Sequence, residues 1–99
     1  MTETLAVLAF CATCPNPCRR AWPADAAVQL EAITPSALAL LALAVARRQV
    51  RADAETLALL DQTEMARQCR PACPYDHDIA ALVGRVRAGW RAGEADGRT

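Results

Sequence analysis

An all-α fold is what this sequence predicts, and three observations predict it. Alanine, leucine and arginine abound while aromatic residues make up only 4% of the chain, a mix that favours helices and offers little to strands. Thr34-Pro35, Asp53 and Asp78 each stand where a capping side chain would open a helix. The last of these is followed by an apolar stripe at helical spacing.

Ninety-nine residues make one small domain with a limited core, and residues 1–92 are read as that domain. Eleven basic and eleven acidic residues balance, so nothing points to nucleic acid or to an anionic membrane surface.

Taken in order, Met1 to Phe10 has the look of a short signal peptide but lacks a basic start, and its apolar stretch is at the lower limit of length. Leu8-Ala9-Phe10-Cys11 hints at a lipoprotein cleavage site, yet Phe10 is too bulky for the position before the cut. An odd number of cysteines suits a reducing compartment better than a disulfide scaffold, so a cytoplasmic location is expected. A short helix is expected over 24–33, after Pro23. Thr34 then caps a helix with Pro35 at its first position. Its run from Ser36 to Val50 carries Leu38, Leu40, Leu41, Leu43 and Val45 with no polar face before Arg47, so it is buried in the core or turned to a partner. It is too short to span a membrane, which takes about 20 apolar residues.

Asp53 is expected to cap a second helix reaching about Gln68, with Leu57 and Met65 on one side. Asp78 caps the third, where Ile79, Leu82, Val83, Val86 and Trp90 form one stripe and Arg85, Arg87 and Arg91 lie off it. Gly84 and Gly89 each weaken that helix by about 1 kcal/mol relative to alanine. The polar stretch 93–99 is expected to fray.

Chemistry concentrates in five cysteines, in two clumps: Cys11-x2-Cys14-x3-Cys18 and Cys69-x3-Cys73-Pro74. The first clump can present three thiolates to one centre. A tetrahedral or cubane site needs a fourth ligand, and no other Cys or His lies nearby. The second clump has two thiols, too few for a site of its own. Only a combined site reaches four, and its metal binding would also be folding free energy for so small a chain.

Cys73-Pro74-x3-Asp78-Ile79, followed by Leu82-Val83-x2-Val86-Arg87, resembles the end of an α-helical ferredoxin domain. This is the two-cluster module of the heterodisulfide reductase C subunit and of the N-terminal regions of dihydropyrimidine dehydrogenase and the glutamate synthase small subunit. The resemblance covers about residues 8 to 90. Each half of that module carries roughly Cys-x2-Cys-x2–4-Cys-x3-Cys-Pro, and each cubane takes three cysteines from one half and the last from the other. Carried over, that crossed pattern implies one complete set, Cys11, Cys14, Cys18 and Cys73, holding a single [4Fe–4S] cluster. The second set keeps only Cys69. Trp22 stands where its fourth cysteine would precede Pro23, and its first two positions fall among Gln62, Thr63, Met65 and Ala66. That cluster is expected to be absent, its volume refilled by Trp22 and Met65.

The resemblance implies one-electron transfer, as a small ferredoxin-like subunit or carrier partnered with a flavoprotein oxidoreductase or another redox subunit in a hetero-oligomer. No GxGxxG occurs and the chain has no room for a flavin or nicotinamide fold, so no turnover of its own is expected. The apolar face of residues 36–50 is the candidate docking surface. Arg19, Arg20 and Arg70 adjoin the ligands and would offset negative charge, or are simply solvated; Pro15 and Pro17 remove two N–H donors from the first loop. His77 is read as a turn residue beside a cap, with a proton carrier or substitute ligand as the other role. Cys69 is read as a buried, inert thiol rather than a reactive one. From another class, four thiolates also suit zinc in a structural interaction module, although zinc sites usually pair two CxxC knuckles. A dithiol cycle at Cys11 and Cys14 lacks the βαβ surroundings of thioredoxin-like proteins.

Overall fold

The computed structural model describes residues 2–23 and 31–90, and every regular element among them is helical. Five α-helices follow one another: α1 (Thr2–Ala12), α2 (Pro35–Ala46), α3 (Ala54–Leu60), α4 (Glu64–Cys69) and α5 (Ile79–Ala88). Short 3₁₀ turns cover Pro17–Ala21, Glu31–Ile33 and Arg70–Ala72. The expected helix over 24–33 lies largely outside the described residues, as does the tail 93–99. No described helix is long and apolar enough to cross a membrane.

The three caps form as their residue types dictate. The Thr34 hydroxyl accepts from the Ala37 N–H at 3.4 Å and donates to the Glu31 carbonyl at 2.9 Å, with Pro35 at the first helical position. An Asp53 carboxylate oxygen accepts from the Thr56 N–H at 2.8 Å, and Asp78 from the Ala81 N–H at 3.1 Å. Helix α2 ends in a Schellman motif: the Arg48 N–H bonds the Val45 carbonyl and the Gln49 N–H the Ala44 carbonyl. Arg48 takes the left-handed position, φ 59°, where glycine is usual. Its guanidinium lies 5.0 Å from the Trp90 ring centroid, a cation–π contact that helps hold it there.

Helix α2 is the axis of the core. Leu38, Ala39, Ala42, Leu43 and Val45 are buried, α1 packs along it, and α5 covers another side with Val83 and Val86. Leu8 on α1, Leu57 and Leu60 on α3, and Met65 on α4 complete the cluster. Most of the α2 surface expected to meet a partner is therefore occupied by the fold itself. Leu40 remains exposed, beside a shallow apolar groove that also includes Leu41, Ala44, Val50 and Leu59.

Helix α1, over the start of the chain, packs Leu8 and Cys11 into the core. One element differs from expectation: the helix expected from Asp53 to Gln68 is two helices. Asp61, Gln62 and Thr63 break it, and the turn is held by the Arg87 Nε–H donating to Asp61 Oδ1 at 3.0 Å. The break lets α4 turn away from the line of α3 and pack against the 3₁₀ turn that carries Cys18. Trp22 and Met65 also part company. Met65 is fully buried, while Trp22 is half-buried and lines an open cavity of about 300 Å³ with Ile33, Gln62, Thr63 and Arg67.

A five-thiol pocket as candidate metal centre

Each cysteine is delivered by a different piece of local structure. Cys11 is in the last turn of α1, and Cys14 follows as the chain tightens, its N–H bonding the Cys11 carbonyl at 2.9 Å. Cys18 sits in the 3₁₀ turn beginning at Pro17. Cys69 closes α4, and Cys73 follows the 3₁₀ turn 70–72, its N–H bonded to the Arg70 carbonyl at 3.0 Å. The 3₁₀ turns at 17–21 and 70–72 pack against each other, which brings the two clumps together.

All five cysteines line one pocket, walled by Pro35, Ala66 and Ile79 and rimmed by Phe10, Tyr75 and His77. None is in a disulfide. Cys11, Cys18 and Cys69 are buried; Cys14 and Cys73 are half-buried, toward the rim. The reading of Cys69 as buried fits its 1% exposure, but it stands inside the same pocket, within hydrogen-bond reach of Cys18. Sequence spacing gave no sign of that proximity.

Burial dominates the electrostatics. It pushes the Cys11 thiol from its ordinary 9.0 up to about 12, with Cys14, Cys18 and Cys73 adding to the rise through their own negative charge when ionised. Cys18 is raised by burial and then by Cys73. A cation bound among these thiols would reverse this balance and expel their protons.

Backbone geometry fixes both rims. After Cys73 the chain turns through Pro74 and Tyr75 to Asp76, which has φ 54° and an N–H bonded to the Cys73 carbonyl at 3.1 Å. That reversal aims the next amide back, and the His77 N–H donates to Cys73 Sγ at 3.4 Å. The His77 side chain stacks on Tyr75 at 5.9 Å between centroids, and Phe10 meets Tyr75 edge-on at 4.8 Å. His77 follows this turn and lines the pocket beside Tyr75. Arg70 ion-pairs with Asp78 at 3.0 Å and Asp76 at 3.4 Å, so much of its charge is spent within its own turn. Arg20 is exposed.

Asn16 escaped the sequence reading although it sits between two prolines in the cysteine loop. Its φ is 58°, and its carboxamide bonds Ser36 twice: Nδ2–H donates to Oγ at 2.8 Å, and Oδ1 accepts from the Ser36 N–H at 3.0 Å. Asparagine's tolerance of the left-handed region was the available signal.

The donor chemistry suits a thiolate-bound metal centre, since five cysteines from two segments line one space. The space itself is narrow, about 20 Å³, room for roughly one water. Among the described residues no three His, Cys, Asp or Glu side chains form a ready single-ion site. Around a single zinc, four sulfurs would close to within roughly 3.8 Å of one another, as Zn–S bonds of about 2.3 Å require. Comparison with protein-family profiles, with curated proteins and with solved structures finds no match to this chain.

Proposed function

We propose that this chain is a one-electron carrier in which Cys11, Cys14, Cys18 and Cys73 hold a single [4Fe–4S] cluster. It would serve as a small ferredoxin-like subunit or carrier for a flavoprotein oxidoreductase, as its resemblance to α-helical ferredoxin domains implies. The observation that carries the reading is the gathering of both cysteine clumps around one pocket. When bound, a cubane with four thiolate ligands exchanges single electrons and keeps no open iron for a substrate.

The protein's own residues then have defined tasks. The Cys11 and Cys18 sulfurs lie on the buried side, where Pro35, Ala66 and Ile79 exclude water. Cys73 is oriented by the His77 N–H, a bond that stabilises negative charge on that sulfur. Phe10 and Tyr75, each about half exposed (48% and 55%), form the apolar rim where the pocket reaches the surface. The same four thiolates suit zinc by ligand type, and metal identity separates the two readings.

Replacing one cysteine at a time tests the ligand set. After anaerobic purification, Cys69→Ser should retain the wild-type iron content and Cys73→Ser should lose most of it. Equal loss in both variants would refute the assignment.

A further inference from the structure

The loop carrying two of the five thiols reads Cys14-Pro15-Asn16-Pro17-Cys18, and its shape depends on one residue. Pro15 and Pro17 have φ fixed by their rings, leaving Asn16 as the position that decides how the chain turns. It adopts φ 58°, in the left-handed region, although a residue followed by proline is driven toward extended backbone. Such a conformation persists only where the surroundings hold it.

What holds it is α2. Thr34 caps that helix through the Ala37 N–H, which leaves the Ser36 N–H in the first turn in need of an acceptor. Asn16 Oδ1 supplies one at 3.0 Å, and Asn16 Nδ2–H donates to Ser36 Oγ at 2.8 Å. The amide orientation is unambiguous, because the Ser36 N–H can only donate and so must face oxygen. Asn16 thereby acts as a second cap of α2 delivered from another segment, and α2 in return clamps the cysteine loop.

We infer that Asn16 is the positioning residue of the metal centre: its two hydrogen bonds to Ser36 preset the Cys14–Cys18 loop so that its thiols face the pocket before metal arrives. This deepens the metal-centre reading and rests on it. Asn16 also lines the pocket, so it supports the ligands from directly beside them. Losing such an outer partner typically costs a metal site about 10- to 100-fold in affinity.

The test compares wild type, Asn16→Gly, Asn16→Asp and Ser36→Ala, each loaded anaerobically with ferrous iron and sulfide. Iron loss to a chelator is followed by decay of the visible absorption, and far-UV circular dichroism reports helical content. Asn16→Gly tolerates φ 58° but loses both bonds, and should release iron about tenfold faster with unchanged helix. Asn16→Asp keeps the acceptor for the Ser36 N–H and should stay near the wild-type rate; Ser36→Ala, which loses only the Oγ partner, should fall between. If Asn16→Gly loses helical content, the rescue by Asn16→Asp and the intermediate rate of Ser36→Ala decide the matter. Wild-type rates in both Asn16→Gly and Ser36→Ala, or no rescue by Asn16→Asp, would overturn the role of Asn16 alone. A wild-type protein that takes up no iron would overturn the metal centre and this inference together.

Discussion

Asp78 joins the helix that supports the pocket to the turn that carries Cys73, and its two carboxylate oxygens do different things. Oδ1 caps α5 through the Ala81 N–H at 3.1 Å, and Oδ2 accepts from Arg70 at 3.0 Å. Asp78→Ala removes both. The cap accounts for about 1 kcal/mol. The ion pair joins side chains 45% and 40% exposed, so it contributes about 0.2–1 kcal/mol. The sum is about 1–2 kcal/mol, and a domain of this size loses about 4–8 °C in Tm per kcal/mol. Asp78→Asn keeps a capping oxygen and loses only the charge, so its cost should stay under about 1 kcal/mol. Thermal unfolding of the metal-free protein, followed by far-UV circular dichroism at low and high salt, separates the two contributions. The deficit of Asp78→Asn should shrink in high salt, while the gap between the two variants should not. If Asp78→Asn is as destabilised as Asp78→Ala, or if the gap closes with salt, the carboxylate is not acting as a cap.

Two further perturbations have signs fixed by the structure. A Cβ at Gly84 would meet nothing within 4 Å, so Gly84→Ala should stabilise α5 by about 0.8–1 kcal/mol, read as a raised urea midpoint; an unchanged or lowered midpoint would count against the helix as described. The metal-free fold holds the protons of Cys11 and Cys18 more tightly than the unfolded chain does. Its stability should therefore be full below about pH 9 and fall as pH rises toward 12, the reverse of a carboxylate effect; urea titrations across that range showing constant or rising stability would contradict the burial of these thiols.

Local signals were legible in the sequence, and long-range ones were not. Thr34-Pro35, Asp53 and Asp78 announce helix starts because capping is a property of a few adjacent residues. Helix α1 gave no such signal: it has no amphipathic stripe and no capping residue that the sequence reading singled out. The break at Asp61-Gln62-Thr63 contains neither glycine nor proline; it is anchored by Arg87, which arrives from a distant helix. The pairing of the two cysteine clumps was anticipated from the need for a fourth ligand. The place of Cys69 inside the pocket was not, since spacing along the chain says nothing about which buried thiol approaches Cys18. Asn16 lay hidden for the same reason, because its partner Ser36 belongs to another element.

Metal and sulfide analysis of the anaerobically purified chain, with EPR of its reduced form, tests the central claim most directly. The account predicts brown protein with about four irons and matching sulfide per chain and a paramagnetic signal on one-electron reduction. Colourless protein carrying one zinc, or no metal at all, would contradict it.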